Sequence, residues 1–174
     1  MVRSGLIARD TPNSLESQIA FGLRRLAVPK RAKQQKNPFS PSAELLTDAR
    51  RHFADHCASC HGNNGSGNTQ LGQSLYPRAP DMREPRTQSL SDGELYYIIH
   101  NGIRFTGMPA WGGDQDEDSW KLVLFIRRLR QLDPLELAEM ERFNPKSKED
   151  SEEEHNEEDF LNGKQVKSTH STLR

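Results

Sequence analysis

Apolar positions along this chain recur at helical rather than strand spacing, in blocks separated by polar stretches. Leu15, Ile19, Leu23 and Leu26 share one face of a helix predicted over 13–28, with Asn13 and Glu16 as its capping box and Pro29 as its stop. Residues 30–37 read as a basic linker. A second helix is expected over about 41–56, capped by Ser40 and with Pro41 at its first position. Leu45 or Leu46, Ala49 and Phe53 form its buried stripe, and it delivers the chain into Cys57. Residues 62–88 read as loop: Gly62, Gly65, Gly67 and Gly72 sit among Asn and Ser, and Pro77, Pro80 and Pro85 follow. A loop so long needs a reason, and wrapping around a ligand is one. A third helix, about 92–101, has Ser91 and Glu94 as capping box, Leu90 and Leu95 as hydrophobic staple, and Gly102 as its end. A fourth runs from about 117 to 131 on Trp120, Val123, Phe125, Ile126 and Leu129. Asp133, Pro134 and Glu136 start a short fifth helix ending near Phe143. No segment reads as a strand, so the expected class is all-α.

Composition divides this pattern into a core and its extensions. Only 33% of the 174 residues are hydrophobic and 28% are charged, whereas an ordinary globular domain is nearer half apolar. The net charge of -1 hides an uneven spread. Residues 1–42 carry eight Lys/Arg against two Asp/Glu, 43–132 carry ten against eleven, and 149–159 carry eight acidic residues and no Lys or Arg. The expected organisation is therefore a basic amphipathic helix and linker (1–42), a compact domain (43–132), a short helical extension (133–145) and an acidic disordered tail (146–174). The first segment suits either a surface helix docked on the domain or one lying against an anionic membrane surface, through Arg24, Arg25, Lys30, Arg31, Lys33 and Lys36. Nucleic acid is not an expected partner, because the basic front lacks interleaved aromatics and a docking motif.

Candidate chemistry centres on Cys57-Ala58-Ser59-Cys60-His61, which matches the pattern for covalent haem attachment. Two thiols separated by two residues can reach the two vinyl groups on one side of a porphyrin, and the next residue then lies under the iron. A thioredoxin-type disulfide would need alternating strands and helices, which this chain lacks. A closed zinc site would need about four ligands, and there is no second cysteine pair.

Haem requires a group opposite His61. Met82, Met108, His100, His52 and His56 are the candidates, and the run Phe105-Thr106-Gly107-Met108-Pro109-Ala110-Trp111 favours Met108. Gly107 allows close backbone approach, Pro109 stiffens the loop, and the segment lies between two helices. Met82 suits gap filling in the core or a wall of the haem pocket, and His100 a surface or capping role.

These residues resemble the class I cytochrome c family over 43–132. The likeness rests on Phe53 ahead of Cys57, the attachment motif, the Gly-rich loop, residues 75–82, the helix with Leu95, Tyr96, Tyr97 and Ile98, the Met108 loop and the Trp120 helix. More narrowly, it resembles single-haem bacterial cytochromes whose domain follows a membrane anchor. The resemblance implies a cytochrome c fold, with helices packed around one covalently bound haem c and the first and last core helices crossing near Phe53 and Trp120. It implies that a proline carbonyl, from Pro77 or Pro80, orients His61. Ala49 stands where the family often has Gly.

The function so implied is single-electron transfer between redox partner proteins at an exposed haem edge, on the periplasmic side and membrane-associated, rather than catalysis. The alternative is a haem-bearing, electron-accepting subunit of a dehydrogenase or oxidase complex. Arg78, Arg83, Arg104, Tyr97 and Trp111 are candidate donors to the haem propionates. No export signal is visible after Met1 and no run of 18 apolar residues occurs, so an anchor or leader upstream of Met1 is expected.

Overall fold

A computed structural model describes residues 13–113 and 116–145. The segment before Asn13 and the acidic stretch 146–174, with His155 and His170, lie outside the described residues.

Among the described residues every regular element is helical. The first is α1 (Ser14–Ala27), capped by the Asn13 side chain accepting from the Glu16 amide at 2.8 Å. The stretch predicted as a linker holds a further turn, α2 (Lys30–Lys33). It packs on the helix that begins at Asp92, at Gly93, where a Cβ would lie 1.9 Å from the Ala32 carbonyl. The Ser91 hydroxyl also donates to the Lys33 carbonyl at 2.9 Å.

The next helix, α3 (Ala43–His52), starts later than expected. Ser42, not Ser40, is the cap: its hydroxyl accepts from the Leu45 amide at 3.2 Å, which leaves Pro41 outside the helix. Nor does the chain stop at residue 56. It winds through a π-helical turn (Phe53–Cys57) into α4 (Ala58–His61). The loop expected over 62–88 contains two short helices, α5 (Gln70–Ser74), capped by Thr69, and α6 (Pro85–Gln88), which has Pro85 in its first turn.

The Ser91–Glu94 capping box opens α7 (Asp92–Asn101), and both of its reciprocal hydrogen bonds form. Asp116 caps α8 (Glu117–Arg128), which tightens into a 3-10 turn over Leu129–Gln131. A second reciprocal box, Asp133 with Glu136, opens α9 (Pro134–Glu141).

The core is the crossing of α3 and α8. Ala49 and Phe53 meet Leu122, Val123 and Phe125, all at most 2% exposed, and the Phe53 and Phe125 rings lie 5.1 Å apart at 56°. Ala49 therefore supplies the small residue that lets the two backbones approach. Truncating Phe53 to Ala would cost roughly 3–5 kcal/mol by the usual scale for a buried aromatic. Arg127 ties α6 to α7 and α8 by reaching Asp92 at 2.8 Å and the Gln88 carbonyl at 2.7 Å. Arg50 and Arg128 hold α9 through Glu136, at 3.0 and 3.1 Å.

Candidate haem site

The π-helical turn leads straight into the attachment motif. One extra residue in the turn keeps Phe53 and Ala54 inside the core while the chain passes into Cys57. Both cysteines are free and half-buried. Burial, with Cys60 alongside, pushes the Cys57 thiol up to about 12, so it rests as the neutral thiol.

His61 is buried at 8% exposure, and burial takes its imidazole down to about 4 against an opposing pull from the Pro80 carbonyl. Nδ1 is buried and outside hydrogen-bonding geometry, so that pull is an electrostatic contact rather than a formed bond. Of the two prolines expected to orient His61, it is Pro80 that faces the ring.

The loop after His61 folds back beneath the motif. Gly62, at φ 72°, turns the chain, and the Gly67 amide donates to the His61 carbonyl at 2.7 Å. The Thr69 hydroxyl donates to the Ser59 and Cys60 carbonyls at 2.8 and 3.0 Å and accepts from the Gly72 amide at 2.9 Å. Gly72 is indispensable to this approach: a Cβ there would lie 2.2 Å from the Cys60 carbonyl oxygen. Gly67, at φ 68°, presses on the Ala79 carbonyl in the same way, at 2.3 Å. This brings the segment bearing Pro80 against the motif.

The Met108 loop is closed at its base. The Ile103 amide donates to the Met108 carbonyl at 3.0 Å, and the Met108 amide to the Thr106 hydroxyl at 3.1 Å. The Trp111 and Gly112 amides donate to the Ile99 and His100 carbonyls, each at 3.1 Å. Gly107 fits against Leu75, whose methyls would lie 2.7 Å from a Cβ, so the loop touches the end of the segment that closes under the motif. Met108 is half-buried.

The other proposed iron ligands are engaged elsewhere. Met82 packs in the core at 8% exposure, its carbonyl accepting from the Gln88 amide group. His100 pairs with Asp116 at 2.7 Å. His52 and His56 lie 4.7 Å apart, and His56 pairs with Asp55 and stacks on Trp111. Burial and the neighbouring His56 lower the pKa of His52. Of the propionate candidates, Arg83 is taken up by Asp81 at 2.7 Å, Arg104 is exposed in the Met108 loop, and Tyr97 and Arg78 are half-buried.

Sequence reasoning missed Thr69, which organises the loop beneath the motif. Its signal was a Thr immediately before a short helical run, a cap hidden in a stretch read as irregular. It also missed Asp116, which anchors the far end of the Met108 loop through His100. Burial works to raise the Asp116 pKa, but bonds from Ser119 and His100 outweigh it and hold the carboxyl below its ordinary value.

The donor set fits a covalently held haem. Two unpaired thiols, a buried imidazole directly after them and a thioether on a separate glycine-bearing loop are the groups such a cofactor uses. Among the described residues no group of three His, Cys, Asp or Glu side chains gathers to hold a bare metal ion.

Comparison with known proteins agrees with this chemistry. Residues 44–126 match the family described as "Cytochrome C oxidase, cbb3-type, subunit III". The chain is also similar to cytochrome c6 of Cladophora glomerata, at 34% identity over 82 residues, covering 47% of this chain and 84% of that protein. With the attachment motif inside the matched region, this chain belongs to the cytochrome c family and is a single-haem c-type cytochrome that carries electrons.

Proposed function

We propose that Cys57 and Cys60 would hold the haem through thioethers, and that His61 and Met108 would ligate its iron. The observation that carries this reading is the continuous passage from α3 through the π turn into α4, which places both free thiols and the buried imidazole on one short helical segment. The bound haem supplies an iron that alternates between ferric and ferrous.

The chain's own groups set how readily it does so. The contact with the Pro80 carbonyl orients His61 and raises its basicity. The Met108 thioether is a soft donor that prefers ferrous iron, and burial disfavours the extra ferric charge, so the midpoint potential is expected to be positive. With His61 and Met108 both held on the iron, no position would remain for oxygen or peroxide, which would favour electron transfer over catalysis. Its partners are redox proteins that meet it briefly at an exposed haem edge. It works on the periplasmic side, associated with a membrane.

The test is production in a host competent for cytochrome maturation, followed by extraction of the denatured chain with acidified organic solvent. Colour retained by the polypeptide, and lost in the paired Cys57→Ala and Cys60→Ala variant, is the expected result. Colour that leaves with the solvent overturns the attachment. Met108→His should lower the midpoint potential, as an axial imidazole replaces thioether; an unchanged potential would remove Met108 from the iron.

A further inference from the structure

The apolar stripe of α1 faces away from the protein. Leu15, Ile19, Leu23 and Leu26 are 66%, 54%, 62% and 81% exposed, and no residue of the helix is buried. At 100° per residue these four lie on one side of the helix. The groups that hold α1 to the domain come largely from the other side. Phe21 lies under the Arg24 and Arg86 guanidinium groups, at 4.9 and 4.8 Å, and Arg25 approaches the buried Glu94 at 3.7 Å. Glu16 accepts from the Tyr76 hydroxyl at the flank. The helix is thus fastened by its polar groups and Phe21, the reverse of an amphipathic helix that buries its aliphatic face in its own core.

Charge identifies what covers the stripe. Residues 13–36 hold six Lys/Arg and a single acidic residue, Glu16. Lys30, Arg31 and Lys36 are exposed just beyond the C-terminal end of α1, on a segment pinned to α7 and α8 by the Ser91–Lys33 bond and by Asn37 donating to the Trp120 carbonyl at 2.8 Å. Two copies laid stripe to stripe in parallel would crowd these cations together, and laid antiparallel would offer each set of cations a single carboxylate, Glu16, which is already bonded to Tyr76. Anionic headgroups would neutralise them while acyl chains cover the leucines.

We infer that α1 is an interfacial helix whose Leu15–Ile19–Leu23–Leu26 face lies in an anionic lipid bilayer, with Lys30, Arg31 and Lys36 on the headgroups. This rests on the membrane association proposed above and names the surface and the lipid chemistry responsible. Among the described residues no helix is long and apolar enough to cross a membrane, so α1 would lie along the surface. The tie through Phe21 and Arg25 would then hold the haem domain beside the bilayer rather than on a loose tether.

The experiment is cosedimentation of the haem-loaded protein with phosphatidylcholine vesicles, with and without about one third phosphatidylglycerol. The wild type should bind the anionic vesicles, and added salt should weaken the binding. Ile19→Asp with Leu23→Asp, and separately Lys30→Glu with Arg31→Glu, should each weaken it by about tenfold or more. Both sites are exposed, so the visible spectrum and thermal midpoint should not move. Wild-type binding that the Ile19 and Leu23 changes leave intact overturns the role of α1 while membrane association stands. A wild type that ignores both vesicles overturns the inference and the membrane reading together, but not electron carriage, which the spectrum reports. A wild-type dimer that the aspartates split would assign the stripe to a second copy and overturn the lipid assignment.

Discussion

The segment that carries His61 and the loop that carries Met108 are built to different standards. Around His61 the backbone is locked from several directions: Gly67 bonds to its carbonyl, Thr69 takes the two carbonyls before it, and Gly72 sits almost on the Cys60 carbonyl. Around Met108 the loop is held mainly at its base. Its tip carries Phe105 at φ 61° and 94% exposure, a left-handed conformation that side chains other than Gly seldom adopt. One proposed ligand is therefore a fixture of the fold and the other sits on a stirrup. The Met108 side should yield first when the protein is stressed.

The rigid side has its tightest contact at Gly72. In Gly72→Val the new side chain meets the Cys60 carbonyl, backbone that cannot move aside without shifting the attachment helix. A loss of about 3 kcal/mol or more is expected, read by urea unfolding, with a low yield of haem-loaded protein. A variant as stable as wild type would show that the loop beneath the motif is not rigid.

Asp116→Ala should come next. It removes both the cap of α8 and the partner of His100, for a loss of about 1–2 kcal/mol. Because folding holds the Asp116 carboxyl below its ordinary value, the wild-type contribution is complete above about pH 4 and disappears as pH falls through the lower folded value. Wild type and variant should therefore converge in acid. Binding of added imidazole at the iron should also become easier, since the loop's far end is released. Unchanged imidazole binding would uncouple Asp116 from the Met108 loop.

Gly107→Ala is the milder counterpart of Gly72→Val, because the atoms nearest its Cβ belong to the Leu75 side chain, which can turn away. A stability loss of about 1 kcal/mol or less is expected, alongside a measurable gain in imidazole affinity. A loss as large as that of Gly72→Val would mean that the two sides are equally rigid.

Much of this was written in local chemistry. The Ser91–Glu94 box and the Asp133, Pro134 and Glu136 run each mark a helix start in local chemistry, and a helix begins at both; the reciprocal bonds at Asp133 are a finding of the structure. The attachment motif was legible because its spacing is set by the haem rather than by the fold. The start of α3 is ambiguous in the sequence because Ser40 and Ser42 flank the same proline, and only the backbone decides which of them caps the helix. The π turn over Phe53–Cys57 has no local signature; it reconciles the buried Phe53 with the position of the cysteines, a tertiary demand. The stripe of α1 was visible as a period, but a period does not say whether protein or something else covers the face. The bonds from Thr69 back to the Ser59 and Cys60 carbonyls, and the anchoring of Met108 through His100 and Asp116, join residues whose proximity only folding creates.

The proposed ligand pair joins a thioether from the stirrup with an imidazole from the fixture. The far-red absorption of the oxidised, haem-loaded protein tests it most directly. A weak sulfur-to-iron band present in the wild type and absent from Met108→His is the predicted outcome; a wild-type spectrum without that band at neutral pH, or a band that survives the substitution, would contradict it.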